Sequence, residues 1–415
     1  MKQKDNIGVY IFTSQSWVKF IENQRKKFLP LYIIARTSSI VGDIAFYFYA
    51  VISIFKATES TFQTALLLTF AAIPHVLLGK AVSTRIDTWN PRAVAIAADV
   101  FRFLVLILFS MGSHVNILYG TVPLLALGSV FFNPAAAKMV QLAIAKKSLI
   151  RANSTIAFFE NIFKIGTPAI IGSLFSFLTI KQLFLFNAVT YIVSACAILI
   201  ISPQVLSLPL GRRATGAHNK RLIKINEQII SKYFISCEML FSFFNGMNSA
   251  LMPALSFKTH NLTEQEFSFL YVFAGMGLIL GSYISNIIER YFSIEKGATY
   301  CLFLLGVNWA LYFFSTSFLS LLAINFCAGL LISIYFVFFR TAIQKNISSF
   351  NTGSIFTIIG IVQNVFFLLG LLITGIVAET TPPPHLFLAI GCGLSLLSIA
   401  NNLAFRSSLL QLVEG

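Results

Sequence analysis

The sequence predicts an all-α integral membrane protein of twelve transmembrane helices, divided into two six-helix bundles. Three observations lead there. The 415-residue chain is 57% apolar and only 11% charged, whereas soluble domains carry about 25% charged residues. Its apolar residues recur in runs of roughly 20, the length that crosses a hydrocarbon core of about 30 Å. One long polar gap splits these runs six and six, and a faint repeat relates the two sets.

Residues 1–27 form a polar N-terminal segment that ends in Gln24-Arg25-Lys26-Lys27 rather than in the small residues of a cleavage site. The first spanning helix is therefore expected to direct insertion. The N-terminal bundle, residues 28–202, contains runs near 29–55, 61–83, 92–112, 115–137, 152–178 and 182–202. The first carries Arg36 and Asp43, and the second carries His75 beside Pro74 before closing at Gly79-Lys80. Asp99 and Arg102 lie near the start of the third. The fourth ends in Asn133-Pro134, and a basic amphipathic connector leads into the fifth, which holds Glu160, Asn161 and Lys164.

Residues 203–232 are a basic linker with prolines and glycines. Its later part, Lys220 to Ile230, has apolar residues at helical spacing beside Arg and Lys. That pattern fits a helix lying on an anionic leaflet and equally a solvated linker. The C-terminal bundle, residues 233–415, has runs near 233–256, 266–288, 297–315, 318–340, 353–377 and 385–405. Glu238 falls one turn into the seventh helix, which Asn245, Asn248 and Pro253 are expected to interrupt; Gln363 and Asn364 mark the eleventh.

The net charge of +15 does not indicate a nucleic-acid partner, because such proteins gather Lys and Arg on one folded polar face. Here the basic residues sit in the gaps between apolar runs. Placing both termini and the even-numbered gaps in the cytoplasm assigns 23 of them to that face, including Lys26, Arg85, Arg92, Lys138, Arg151, Arg213, Arg290 and Arg340; Lys56, Lys181 and Lys258 remain on the other. This is the positive-inside pattern. The five cysteines lie inside apolar runs without metal-ligand spacing, so neither a disulfide framework nor a zinc site is expected. No phosphate-binding glycine loop, nucleophile elbow or metalloprotease helix occurs. The chain is not expected to be an enzyme or to need a cofactor, and ATP-driven transport would require a partner subunit.

A shift of about 200 residues sets Glu160 over Gln363, Asn161 over Asn364, Phe163 over Phe366 and Gly172 over Gly375. Nearly the same shift sets Asp43 over Asn245 and Gly79 over Gly281. Duplicated halves with a substrate site between them describe a secondary transporter.

Several short motifs in order resemble the major facilitator superfamily, in its drug- and siderophore-exporting branch. They are Ser39-Ile40-Val41-Gly42-Asp43, Ala97-Ala98-Asp99-Val100-Phe101-Arg102, Phe132-Asn133-Pro134-Ala135 and Leu149-Ile150-Arg151-Ala152-Asn153-Ser154. The resemblance implies twelve helices, alternating access, export, proton antiport and residence as a multi-pass monomer in a bacterial inner membrane with both termini cytoplasmic. It also implies a cytoplasmic gate of Gly79, Arg85, Asp99 and Arg102. Two departures stand out: Thr84 occupies the place of the acidic residue in the family signature after helix 2, and the helix-5 antiporter signature survives only as Gly166-Thr167-Pro168-Ala169-Ile170-Ile171-Gly172.

Ionisable side chains in the membrane cost about 2.5–3.5 kcal/mol each on insertion scales and so default to function or to pairing. Eight are read here: Arg36, Asp43, Lys80, Asp99, Arg102, Glu160, Lys164 and Glu238. Glu160 and Lys164 are four apart on one face and can pair. Asp43 and Glu160 are the candidates for proton coupling, since burial penalises the ionised form of a carboxylate. A permanent salt bridge would instead hold either one ionised. Arg36, Asn161, Lys164, Asn245, Asn248, Gln363 and Asn364 are candidates for the wall of a cavity that takes an amphipathic small molecule, and the amides can equally serve helix packing. Glu238 is read as a latch toward basic groups of the other half. Import by the same fold, lipid flipping and a non-transporting scaffold remain alternatives.

Overall fold

The computed structural model describes residues 14–85, 88–112, 114–144, 149–206, 225–288, 294–346 and 349–413. Among these are twelve long helices: α1 (Ser14–Thr58), α2 (Thr61–Arg85), α3 (Pro91–Phe109), α4 (Ile117–Ala143), α5 (Leu149–Leu174), α6 (Ile180–Ile200), α7 (Ile225–Ala254), α8 (Glu264–Ile288), α9 (Ile294–Ala310), α10 (Phe318–Asn346), α11 (Ser349–Val377) and α12 (Pro383–Val413). Nine are long and apolar enough to span a membrane by length and composition. The other three, α3, α5 and α7, carry Asp99 with Arg102, Glu160 with Lys164, and Glu238. A bilayer interior tolerates helices because they satisfy their own backbone hydrogen bonds, which is why long helices account for nearly all of the described chain.

Helix ends depart from expectation at three places. α1 begins at Ser14, well before the apolar run, because nothing from Ser14 to Leu29 is glycine or proline and the helix can continue into the polar segment. α7 runs unbroken past Asn245 and Asn248, so these amides do not interrupt it. Pro253 lies in its last turn and is followed by a five-residue π-helical turn, Leu255–Thr259, an adjustment suited to a ladder that has lost one donor. Of Lys220 to Ile230, read as a helix on the leaflet or a solvated linker, the part from Ile225 onward is the start of α7; residues 207–224 lie outside the described residues.

Within the first half, α1 packs on α5 and α6, α3 on α4 and α6, and α2 on α4. Within the second half the pairs are α7 with α11 and α12, α9 with α10 and α12, and α8 with α10. Adding six to each helix number converts the first set into the second. The main contacts between halves, α2 with α11 and α5 with α8, are likewise images of each other. The fold is therefore two related six-helix bundles joined along two helix pairs.

The tightest packing is between α8 and α10. A Cβ built on Gly329 would lie 1.9 Å from the Ala274 carbonyl oxygen, and one on Gly277 would lie 2.0 Å from that of Phe326. These helices meet backbone to backbone, the close approach that small residues allow in membranes. Gly329→Ala is accordingly expected to cost about 1–3 kcal/mol by overpacking. Thermal unfolding in detergent should show a lower midpoint, and an unchanged midpoint would contradict the contact.

Candidate functional site

Among the described residues, contacts between the bundles gather at one end of the molecule. At the end bearing Lys56 and Lys258, Gly172 of α5 lies against Ser268 of α8, and Gly375 of α11 against Ala65 and Phe62 of α2. Phe48 stacks on Phe267 with ring centroids 5.5 Å apart, and an ion pair joins Lys56 to Glu264. Glu379, just beyond α11, accepts hydrogen bonds from the Ser60 hydroxyl at 2.6 Å and the Phe62 amide at 3.0 Å. Toward the other end, where Arg85 and Arg340 lie, a Cβ on Gly79, Gly166 or Gly360 would meet nothing within 4 Å. Among the described residues the bundles are therefore joined at the charge-poor end, while these three glycines face open space.

The Ser60 hydrogen bond holds the Glu379 carboxyl below its ordinary range, with help from the Phe62 amide and the Lys258 charge. A depressed carboxylate stabilises the state in which it is ionised. The support it lends to closure is full above the ordinary carboxylate range and is lost as pH falls through the lowered value. Glu379→Gln should therefore open the charge-poor end more often at neutral pH, and acid should affect it less than the parent protein. Thiol labelling of a cysteine introduced at Ser268, buried against Gly172 at the same end, reads this; equal labelling of both proteins would contradict it.

Two polar nodes lie inside the first bundle. In one, Arg36 of α1 donates Nε to Glu160 Oε1 at 2.8 Å and a terminal nitrogen to Asn133 Oδ1 at 2.7 Å. Lys164 donates to Glu160 Oε2 at 3.2 Å. Both Glu160 oxygens are thus engaged by cations. Asn133-Pro134 near the end of the membrane run of α4 supplies the third helix of this node, a role the motif alone did not disclose.

The other node centres on Arg102 of α3, whose side chain is 1% exposed. Its guanidinium lies between the rings of Phe132 and Tyr191, 4.7 and 4.2 Å from their centroids. It is paired with Asp99 and stands 3.5 Å from Asp43. Asp99 is fully buried and also accepts from Ser194 at 2.6 Å. Asp43 accepts from the Tyr191 hydroxyl, and its side chain keeps 24% exposure. Gly128 gives the arginine its room, since a Cβ there would lie 2.4 Å from Arg102 Cγ. Tyr191 and Ser194 went unnoticed in the sequence; with Asn187 and Thr190 they recur at i, i+3, i+4 and i+7 on α6, which was the available signal.

The remaining candidates are more dispersed. Asp99 and Arg102 join Asp43 inside the bundle rather than Arg85, which is exposed and forms no ion pair among the described residues. Gly79 faces open space, while the side chains of Lys80 and Thr84 lie outside the described residues. Asn364 bonds the Gly360 carbonyl of its own helix at 2.8 Å, and Gln363 is exposed. Asn245 accepts from Ser249 through its backbone, and the side-chain oxygen of Asn248 is buried without a partner. Glu238 is not a latch between halves: it accepts from Ser242 and Tyr335, each at 3.1 Å, within its own bundle. Burial explains this, because an acid with no local donors could not sit fully enclosed.

Between the bundles, toward the basic end, lies a cavity of about 400 Å³. Asn161 and Lys164 of α5 form one wall, with Ser282 of α8 and Ser333, Phe336 and Arg340 of α10 forming the other. No cluster among the described residues could hold a metal ion.

Two related helical bundles with a cavity between them are the architecture of membrane transporters. The family model of the Major Facilitator Superfamily matches residues 31–371, and the chain belongs to that superfamily. It is 19% identical over 354 residues to macrolide efflux protein A of Streptococcus pyogenes, covering 81% of this chain and 87% of that protein. Among solved structures, a bacterial homologue of the iron transporter ferroportin in an inward-facing state aligns with a TM-score of 0.71 at 16% identity, covering 92% of this chain and 98% of the other. A POT family transporter in complex with a thioalcohol-conjugated peptide aligns with a TM-score of 0.75 at 10% identity, covering 92% and 96%.

Proposed function

We propose that this transporter exports an amphipathic small molecule of the drug or siderophore class in exchange for protons, by alternating access, as a monomer in a bacterial inner membrane with the basic end cytoplasmic. The observation that carries this reading is Asp43, whose side chain keeps 24% exposure and whose partners are the Tyr191 hydroxyl and a guanidinium 3.5 Å away, whereas Glu160 is held by two cations and Asp99 by Arg102 and Ser194. The contact of Asp43 with Arg102 is looser than the one Glu160 makes with Arg36. Of the two coupling candidates Asp43 is the better supported, and Glu160 serves instead to position Arg36 and Lys164. Similarity to a macrolide efflux protein supports outward movement of a drug-like cargo, and the sidedness of Lys and Arg supports the orientation.

Proteoliposomes test this directly. A pH gradient imposed across vesicles holding the purified protein should drive accumulation of a labelled macrolide or catechol siderophore against its gradient, with matching proton movement. Downhill flux without proton movement would overturn coupling, and absence of flux with either cargo would overturn the substrate class.

A further inference from the structure

The charges around the cavity select a substrate more narrowly than amphipathic character does. Lys164, on α5, has a half-exposed side chain and shares Glu160 with Arg36. Arg340, on α10, is exposed and makes no ion pair or hydrogen bond among the described residues. The two cations line the same cavity from opposite bundles. Glu160, the carboxylate paired with Lys164, has both oxygens engaged by Arg36 and Lys164 and is 16% exposed. Asp43 and Asp99 do not line the cavity and are turned to Arg102. Lys164 and Arg340 face the cavity, while Glu160 has both oxygens engaged and Glu238, which feels the charge of Arg340, is buried and bonded to Ser242 and Tyr335; the wall is left net positive, and Ile165, Leu278 and Phe336 supply an apolar surface beside it. The volume of about 400 Å³ is in the range of small-molecule sites.

Resting on the transport reading above, we infer that this cavity takes an amphiphilic anion, whose acidic group bridges Lys164 and Arg340 while its apolar body lies against Phe336 and its neighbours. Like charges facing one another across a cleft resist its closure, and an anion between them removes that resistance. A cargo with this chemistry therefore favours drawing α5 and α10 together at the basic end, whereas a cation would meet the field unfavourably. The acidic group can belong to a free solute or to a lipid headgroup, which present the same chemistry to the two cations.

Binding to the full-length protein in phosphatidylcholine nanodiscs tests the inference without requiring flux. Anilinonaphthalene sulfonate and phenylnaphthylamine share an aromatic skeleton and differ in the sulfonate. The anion should bind at least about tenfold tighter, a difference that one satisfied charge contact readily supplies. Lys164→Gln and Arg340→Gln should each weaken the sulfonate several-fold and leave the neutral probe unchanged; Arg340→Lys should retain most of the preference. Equal affinity for the two probes, no protein-dependent binding of either, or a preference that survives in the double glutamine variant would overturn it. Displacement of the sulfonate by phosphatidylglycerol in the nanodisc, absent in the double variant, would support the anion site and assign its ligand to the bilayer. Selective binding without flux would count against transport and leave this inference standing; flux of a neutral cargo with no anion preference would do the reverse.

Discussion

Asp43→Asn is expected to abolish proton-driven accumulation while leaving downhill exchange of cargo intact. The amide is nearly isosteric with the carboxylate and still accepts from the Tyr191 hydroxyl, so the contact between α1 and α6 survives. What it cannot do is take up and release a proton. Loss of a positioned proton-transfer group costs about a hundredfold or more in rate where the proton must move, and an obligatory antiporter converts that into loss of uphill transport. Arg102 remains compensated by Asp99, with which it is paired independently of Asp43. Accumulation under an imposed pH gradient, read beside counterflow at equal pH, separates the two effects. Glu160→Gln supplies the contrast: Arg36 and Lys164 lose their shared carboxylate, so cargo affinity should shift while the dependence on pH remains. The opposite pattern, with pH dependence lost at Glu160 and kept at Asp43, would exchange the two assignments.

Nine of the described helices were legible because each is an apolar run of spanning length, a property independent of where the helix packs, and α3, α5 and α7 because their few charges interrupt runs that are otherwise mostly apolar. The placement of Lys and Arg near the ends of such runs is what the proposed orientation rests on. The start of α1 was not legible, because hydropathy marks the membrane-embedded part of a helix and is silent on a polar extension beginning at Ser14. The pairing of Glu160 with Lys164 followed from their spacing on one helix. The grouping of Asp43 with Asp99 and Arg102 did not, because it joins α1 to α3 across a bundle, and spacing along the chain carries no such information. Tyr191 illustrates the limit most clearly. A tyrosine in an apolar run can face lipid or core, and only its neighbours in space reveal that its hydroxyl serves Asp43 and its ring stacks on Arg102. The repeat pointed to Gln363 as the counterpart of Glu160, yet one is exposed while the other is bound by two cations. Matching register does not by itself confer matching surroundings.

Arg102→Met is expected to destabilise the first bundle strongly. The guanidinium is 1% exposed and paired with Asp99, which has no exposure, so its removal strands a carboxylate in a dry interior. Breaking a buried pair by deleting one partner costs about 3–5 kcal/mol, much of it the penalty of the charge left behind. Methionine keeps most of the volume between Phe132 and Tyr191 but none of the donors. Adding Asp99→Asn should therefore recover a substantial part of the loss, since the amide is neutral and can still bond Ser194. Arg102→Lys should rescue poorly, because a single ammonium cannot serve Asp99, Asp43 and Ser129 from between two rings as the planar fork does. Thermal unfolding of the three variants in detergent orders them. If the double variant melts no higher than Arg102→Met alone, the destabilisation comes from lost packing between the rings, and the charge of Asp99 is tolerated by some other route.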